Sequence, residues 1–253
     1  MIQVGIDVGA KFIKAVILKD GKVIAKDQIP SGFEGKENVK KLFDKVLQDA
    51  DISIDEVDSI TSTGSGRKMV DFATKSITDV TAASKGATHL YPEVHTVIDV
   101  GAEEGRSIRC DNNGKIIDFA INEKCAAGAG AFTEAMARAL EIPLEQFGEL
   151  SLKSEKEIPM NAQCAVFAES EVVSLLHAKT PKEDIAKAIN DAVASRITSM
   201  VRKVGFEKEI ALIGGVAYNI GFVNSIETDL KEKIIIPEDP EYISAFGAAL
   251  ITN

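Results

Sequence analysis

The chain has 253 residues, 45% hydrophobic and 27% charged, with a formal net charge of −10 at pH 7. That length suits two lobes of an α/β protein, and the composition supports a substantial core and excludes a disordered chain. The acidic balance argues against a nucleic-acid partner, whose phosphates demand basic patches, and no apolar run approaches the length of a membrane span.

The first residues, MIQVGIDVGA, predict a strand and a turn without a signal-peptide layout, and an odd count of three cysteines points to a reducing cytoplasm. Residues 6–10 read IDVGA, and residues 98–102 read IDVGA again. Each copy continues as strand, turn and strand, through KAVILKDGKVIAKDQI in the first case and RSIRCDNNGKIIDFAI in the second. The turns fall at Gly21-Lys22 and Gly114-Lys115, so each copy predicts a β-hairpin. A hairpin repeated once at so long a period marks a duplicated domain and not a solenoid.

Between the copies, residues 36–50 place Val39, Leu42, Phe43, Val46 and Leu47 at helical spacing, the apolar stripe of an amphipathic helix. Beyond the second hairpin, NEKCAAGAGAF sets Cys125 ahead of a small-residue loop that opens a helix. QCAVFAESE likewise sets Cys164 ahead of a helical run over 169–176. Helix N-termini carry unpaired N–H groups and partial positive charge, so a sulfur there is biased towards the metal-binding thiolate. By spacing alone, cysteines so far apart match no local ligand pattern and read first as small buried hydrophobes. Read as ligands, two cysteines cannot complete the four-thiolate set of an iron–sulfur cluster within one chain, whereas two copies can. Cys110, in the strand IRC, has no helix start after it and reads as core. A long helix is predicted from Thr180 to Gly205, with Pro181 in its first turn and Glu183 completing a capping box. Strands mixed with helices in each half give two α/β lobes.

In IDVGA the aspartate ends a hydrophobic strand and the glycine lets the backbone approach a phosphate. Two such turns facing each other embrace a polyphosphate between Gly9-Ala10 and Gly101-Ala102, with Asp7 and Asp99 set to hold Mg2+ through water. One DxG is usually only a turn, so the pair is the signal. LIGGVAYN follows the predicted strand 209–213 and opens a helix, which suits nucleotide contact by Gly214, Gly215, Val216 and Asn219. AFGAALI at 245–251 is a helix of small residues, and its plain reading is close packing.

IDVGA, IDVGAEEGR, the small-residue helix at Gly128, LIGGVAYN and AFGAALI together resemble the actin, Hsp70 and sugar-kinase ATPase superfamily. KCAAGAGAF and CAVFAESEV, with TSTGSGR at 61–67 and EVHTVIDVG, narrow the likeness. They resemble the BadF/BadG/BcrA/BcrD ATPases, which comprise activators of 2-hydroxyacyl-CoA dehydratases and ATP-binding subunits of benzoyl-CoA reductases. The resemblance implies an α/β, duplicated actin/Hsp70-like (ribonuclease H-like) ATPase fold, two lobes with nucleotide in the interlobe cleft. Residues 1–93 would form the first lobe, with a C-terminal helix in 241–253 packing back on it. Residues 94–240 would form the second, carrying both cluster cysteines.

The same resemblance implies an ATP-dependent electron activator. It would be a homodimer, or a pseudo-symmetric heterodimer, with one bridging 4Fe-4S cluster to which each chain donates Cys125 and Cys164. ATP or ADP would bind with Mg2+, Lys14 matching the lysine that ends the first phosphate loop, Glu169 the acid of the FAESE motif, and Gly214 and Gly215 the adenosine loop. An electron from ferredoxin or flavodoxin would pass into an iron–sulfur acceptor of the dehydratase, benzoyl-CoA reductase or double-cubane type, in an anaerobic cytoplasm.

Two features depart from the family pattern. The first loop reads Ala10-Lys11-Phe12-Ile13 where activators carry hydroxyl residues, leaving backbone N–H groups and Lys11 for phosphate. The second reads AEE where many dehydratase activators have Gly-Gln-Asp, a form closer to one type of benzoyl-CoA reductase subunit. It makes the water-positioning group a carboxylate, Glu103 or Glu104, and Glu103 is the expected catalytic partner of Asp7 and Asp99. A kinase of the same superfamily needs a substrate pocket and insertions for which this chain has little room, and a non-catalytic nucleotide-dependent assembly protein is the third class. Colour separates them, since only the activator is brown when purified without oxygen.

Overall fold

The computed structural model describes residues 1–122, 130–160 and 165–251. Each IDVGA copy ends the first strand of an antiparallel meander. The first comprises β1 (Ile2–Val8), β2 (Phe12–Lys19) and β3 (Lys22–Pro30). After α1 (Gly35–Asp49), β4 (Ser59–Thr63) and β5 (Lys75–Ser76) extend this sheet, and α2 (Asp79–Leu90) leads out of it. The second meander is β6 (Thr96–Val100), β7 (Gly105–Cys110) and β8 (Ile116–Asn122). Helices α3 (Gly130–Ala139), α4 (Leu144–Ser151), α5 (Ala165–His177) and α6 (Lys182–Val204) follow. The chain ends through β9 (Ile210–Ile213), α7 (Ile220–Leu230), β10 (Ile234–Ile235) and α8 (Ile243–Ala249).

The sheets have matching orders, β3-β2-β1-β4-β5 and β10-β9-β6-β7-β8. In each, the strand bearing IDVGA is central, antiparallel to its hairpin partner and parallel to a later strand, β4 beside β1 and β9 beside β6. A central strand has both faces covered, which explains why every residue of β1 and of β6 is buried. The two predicted hairpin turns hold Gly21 at φ +78° and Gly114 at φ +70°, in the region glycine occupies without steric cost. The duplicated fold of the actin and sugar-kinase ATPases is thus present.

The predicted stripe of α1 packs against Val4, Ile6 and Val8 of β1 and Ile13, Ala15 and Ile17 of β2. On the other face of that sheet, Val16 and Leu18 meet Ala245, Phe246 and Ala249 of α8. In the second sheet, Ile98 and Val100 face the cluster built by α3, α4, α6 and α7. Val97, Ile108 and Cys110 face Val80, Ala83 and Ala87 of α2. Helix α2 therefore lies on the second sheet and α8 on the first, and the two cross in close contact. A Cβ at Gly247 would stand 1.9 Å from the Ala82 carbonyl oxygen, and one at Gly86 2.3 Å from that of Ile243. The small residues of AFGAALI are what permit this approach. Gly5 has the same role in β1, where a Cβ would lie 1.9 Å from the Ala245 oxygen.

The long helix differs from its expected start. Pro181 is its N-cap, no side chain caps it, and the helix begins at Lys182. Thr180 is then one position too early to meet the Glu183 amide, so the capping box does not form. The first turn instead relies on Glu183 and Asp184 beside the positive end of the helix dipole. It stops at Gly205, φ +74°, as a left-handed C-cap. Among the described residues no helix is long and apolar enough to cross a membrane.

Candidate functional site

The two IDVGA turns face each other across a cleft of about 500 Å3, a size that suits a small organic ligand. Gly9, Ala10, Lys11 and Lys14 line it from the first sheet, and Gly101, Ala102 and Glu103 from the second. Gly214, Gly215, Val216 and Asn219 close one end, and Asp7 and Asp99 lie on its floor.

Each aspartate is matched with a cation seven residues on, directly across the hairpin. Asp7 pairs in register with Lys14, and Lys14 Nζ donates to Asp7 Oδ2 at 3.2 Å. Asp99 pairs in register with Arg106, whose Nη1 donates to Asp99 Oδ2 at 2.9 Å. Arg106 also holds Glu104 and lies 3.5 Å from Asp79 at the start of α2. Burial raises the Asp99 carboxyl above its usual range, Arg106 opposes this, and the charges of Asp7 and Asp79 add to the rise. Four carboxylates thus share two cations on the floor, a balance that favours an added cation there.

The aspartates are also reached by matching glycines. Gly64, at φ +92° after β4, would put a Cβ 2.4 Å from the Val8 oxygen and 2.6 Å from Asp7 Oδ1. Gly214, at φ +87° after β9, would put one 2.4 Å from the Val100 oxygen and 2.9 Å from Asp99 Oδ1. The TSTGSGR and LIGGVAYN motifs are therefore structural counterparts, each following the strand parallel to an IDVGA strand.

The outer sides of the two turns are fastened differently. Ser31 holds the first, its Oγ donating to the Gly9 oxygen at 2.7 Å and its N–H to the Lys11 oxygen at 2.9 Å. The second is held by the first amides of α3. Gly130 N–H donates to the Gly101 oxygen at 2.9 Å, and Ala131 N–H to the Ala102 oxygen at 2.8 Å. Lys11 reaches across the cleft to the Glu134 carboxylate of α3.

Of the expected nucleotide residues, one lies away from the cleft and another lines it with its side chain engaged elsewhere. Glu169 is exposed on α5 and is not among the cleft-lining residues. Asn219 borders the cleft, but its side-chain oxygen accepts from Gly221 and Phe222 N–H at 3.1 Å each, capping α7, and its amide donates to Asn190. Of the two acids in the second loop, Glu104 is tied to Arg106, whereas Glu103 is exposed at the cleft.

Sequence reasoning passed over Arg106, whose spacing from Asp99 equals that of Lys14 from Asp7. It also passed over α4, which contributes Leu144, Glu145, Gly148 and Glu149 to the wall. The exposed apolar side chains of Leu144, Tyr218 and Ile220 gather at this end, a surface suited to a flat ring.

Cys125 and Cys164 lie outside the described residues, and so does the Gly128 segment. The helices that follow the two cysteines in sequence, α3 and α5, pack on each other. Cys110 is fully buried, and burial pushes its thiol up, away from the reactive thiolate. Among the described residues no three His, Cys, Asp or Glu side chains form a metal-binding group.

The chain resembles proteins of known structure along almost its whole length. It superimposes with a TM-score of 0.94 and 36% identity on (R)-2-hydroxyglutaryl-CoA dehydratase component A of Acidaminococcus fermentans, over 99% of this chain and 96% of that one. The activator of 2-hydroxyisocaproyl-CoA dehydratase from Clostridium difficile, solved with bound ADPNP, gives a TM-score of 0.92 and 34% identity over 99% and 93%. A benzoyl-CoA reductase subunit of Thauera aromatica is 30% identical over 98% of this chain and 92% of its own. Over the whole chain the identity to the reductase subunit is no higher than to the dehydratase proteins. A family model matches residues 4–252, and with that the duplicated cleft and both cysteine motifs fall within one family: the chain belongs to the BadF/BadG/BcrA/BcrD ATPases.

Proposed function

We propose that this protein is an ATP-dependent electron activator, the reductase component that drives electrons from a ferredoxin or flavodoxin into an iron–sulfur acceptor enzyme of the dehydratase type. The observation that carries the reading is the pair of hydrogen bonds from Gly130 and Ala131 to Gly101 and Ala102. They join the second phosphate loop to the helix that follows Cys125, so a ligand held by the loop acts on the segment bearing a cluster ligand.

ATP would lie with its phosphates between the two turns and its base against Leu144, Tyr218 and Ile220. Backbone N–H groups and Lys11 would take the phosphates. Asp7 and Asp99 would orient the waters of Mg2+, with Lys14 and Arg106 fixing each carboxylate's direction. Glu103, which is not tied to Arg106, would align the attacking water. Closing the lobes on the triphosphate excludes water from all of these contacts and strengthens them. Glu169 has no part in this account.

Cys125 and Cys164 of two cytoplasmic copies would hold one 4Fe-4S cluster between them, and that group supplies one-electron chemistry at low potential. Two thiolates per chain fit a shared site, and the mutual packing of α3 and α5 supports bringing both cysteines of one chain to one place. The dimer and the anaerobic setting follow from that sharing.

Iron content tests the reading. Cys125→Ala and Cys164→Ala should each give colourless protein without stoichiometric iron, and Cys110→Ala should stay brown with its iron intact. Full iron in Cys125→Ala would remove the bridging cluster from the account. A colourless wild-type protein purified without oxygen would favour the kinase or assembly reading.

A further inference from the structure

Lys11 and Glu134 form an ion pair that spans the cleft, from the turn after β1 to the first turns of α3. Both residues line the space in which the phosphates are proposed to lie, and both side chains retain access to solvent, at 46% and 24% exposure. The turn is fastened to the first sheet through Ser31, whereas α3 is fastened to the second loop through Gly130 and Ala131. This pair therefore links the two halves of the cleft at the helix that leads back to Cys125.

We infer that Lys11 and Glu134 act as a clasp between the lobes which a nucleotide polyphosphate opens by taking Lys11 for itself. The inference rests on the nucleotide reading above and adds its regulation. A phosphate entering between the turns offers Lys11 an anion of higher charge than one carboxylate, so the ammonium changes partners. Glu134 is then left without its cation beside the phosphates, and repulsion drives it and α3 away from them. Because α3 holds the Gly101 and Ala102 carbonyls and packs on α5, the displacement passes to both helices that follow the cysteines. Glu134 is thus a positioning residue: it keeps Lys11 from the phosphate site until phosphate arrives.

A competitor for Lys11 weakens nucleotide binding, so removing it has a definite sign. Binding of Mg-ADPNP is measured calorimetrically for wild type, Glu134→Gln, Lys11→Ala and the double variant, all as full-length protein purified without oxygen. Glu134→Gln should bind about two- to fivefold more tightly, the range that one exposed ion pair supports. Lys11→Ala should bind more weakly, and adding Glu134→Gln to it should tighten binding by less than the same change does in wild type, since only repulsion from the phosphates is relieved and the competition has no Lys11 to act on. Weaker or unchanged binding in Glu134→Gln overturns the clasp. So does an equal gain in the Lys11→Ala background, which would mark a general charge effect. Wild-type protein that binds no Mg-ADPNP overturns the nucleotide reading and the clasp together. Binding that responds as predicted in protein without iron keeps the clasp and rejects the electron-transfer reading alone.

Discussion

The two halves of the cleft are built alike and tethered differently. Each offers an aspartate, a cation seven residues later across a hairpin, and a left-handed glycine pressed against the strand end. In the first half Asp7 has one lysine, and the turn is bolted to its own sheet by Ser31. In the second, Arg106 gathers Asp99, Glu104 and Asp79, and the turn is bolted to α3. Duplication supplied the same turn twice, and in the function proposed above divergence makes one copy an anchor and the other a transmitter.

The sharpest way to break this comparison is to force one half to resemble the other. Val97 occupies in β6 the place that Gly5 occupies in β1, counting back from each IDVGA. Gly5→Val should dislodge α8, whose backbone lies 1.9 Å from the added carbon, and cost about 3 kcal/mol or more in thermal or chemical unfolding. Stability near wild type would show that α8 is not pinned to the first sheet.

Next in size are the aspartates. Asp7→Ala and Asp99→Ala should each lower ATP hydrolysis by about 10- to 100-fold, about 1.4 to 2.8 kcal/mol of barrier, without loss of colour. Asp99→Ala should also destabilise the fold more than Asp7→Ala, because it takes the most deeply buried carboxylate partner from a buried guanidinium. Full activity in both would remove the two loops from catalysis.

A smaller effect separates the cations. Lys14→Arg should be tolerated to within about 1 kcal/mol, since one carboxylate accepts either head group. Arg106→Lys cannot reach three carboxylates at once and should reduce hydrolysis by about tenfold with less change in nucleotide affinity. Equal losses in the two variants would mean that Arg106 has no wider task than Lys14.

How far all this could be read in advance depends on whether the signal is local. The IDVGA repeat, both hairpin turns and the stripe of α1 are contiguous patterns, and the structure has them. The kinship of Gly64 with Gly214 is not contiguous, since it arises from β4 lying parallel to β1 and β9 to β6, which only the sheet register reveals. Arg106 hid for a related reason: its partner Asp99 lies across a hairpin. Its spacing from that partner was nevertheless visible in the earlier pair. The capping box failed because Pro181 shifted the helix start by one residue, and the side chain of Asn219 caps α7 while the residue lines the cleft, a double placement that the motif alone does not reveal. Glu169 was carried over on a motif, and among the described residues α5 gives none to the cleft lining.

The account stands on nucleotide in the cleft being felt at the cysteine segments. The measurement that addresses this is the rate at which an iron chelator bleaches the anaerobic protein without nucleotide, with Mg-ADP and with Mg-ADPNP. A ligand shifts a conformational equilibrium only by binding its states differently, so the account predicts rates that differ among the three conditions. It also predicts that disturbing the α3 tether, by Gly130→Val against the Gly101 oxygen 3.3 Å from its added carbon, shrinks that difference. Identical bleaching rates in all three conditions, in protein shown to bind nucleotide, would contradict it.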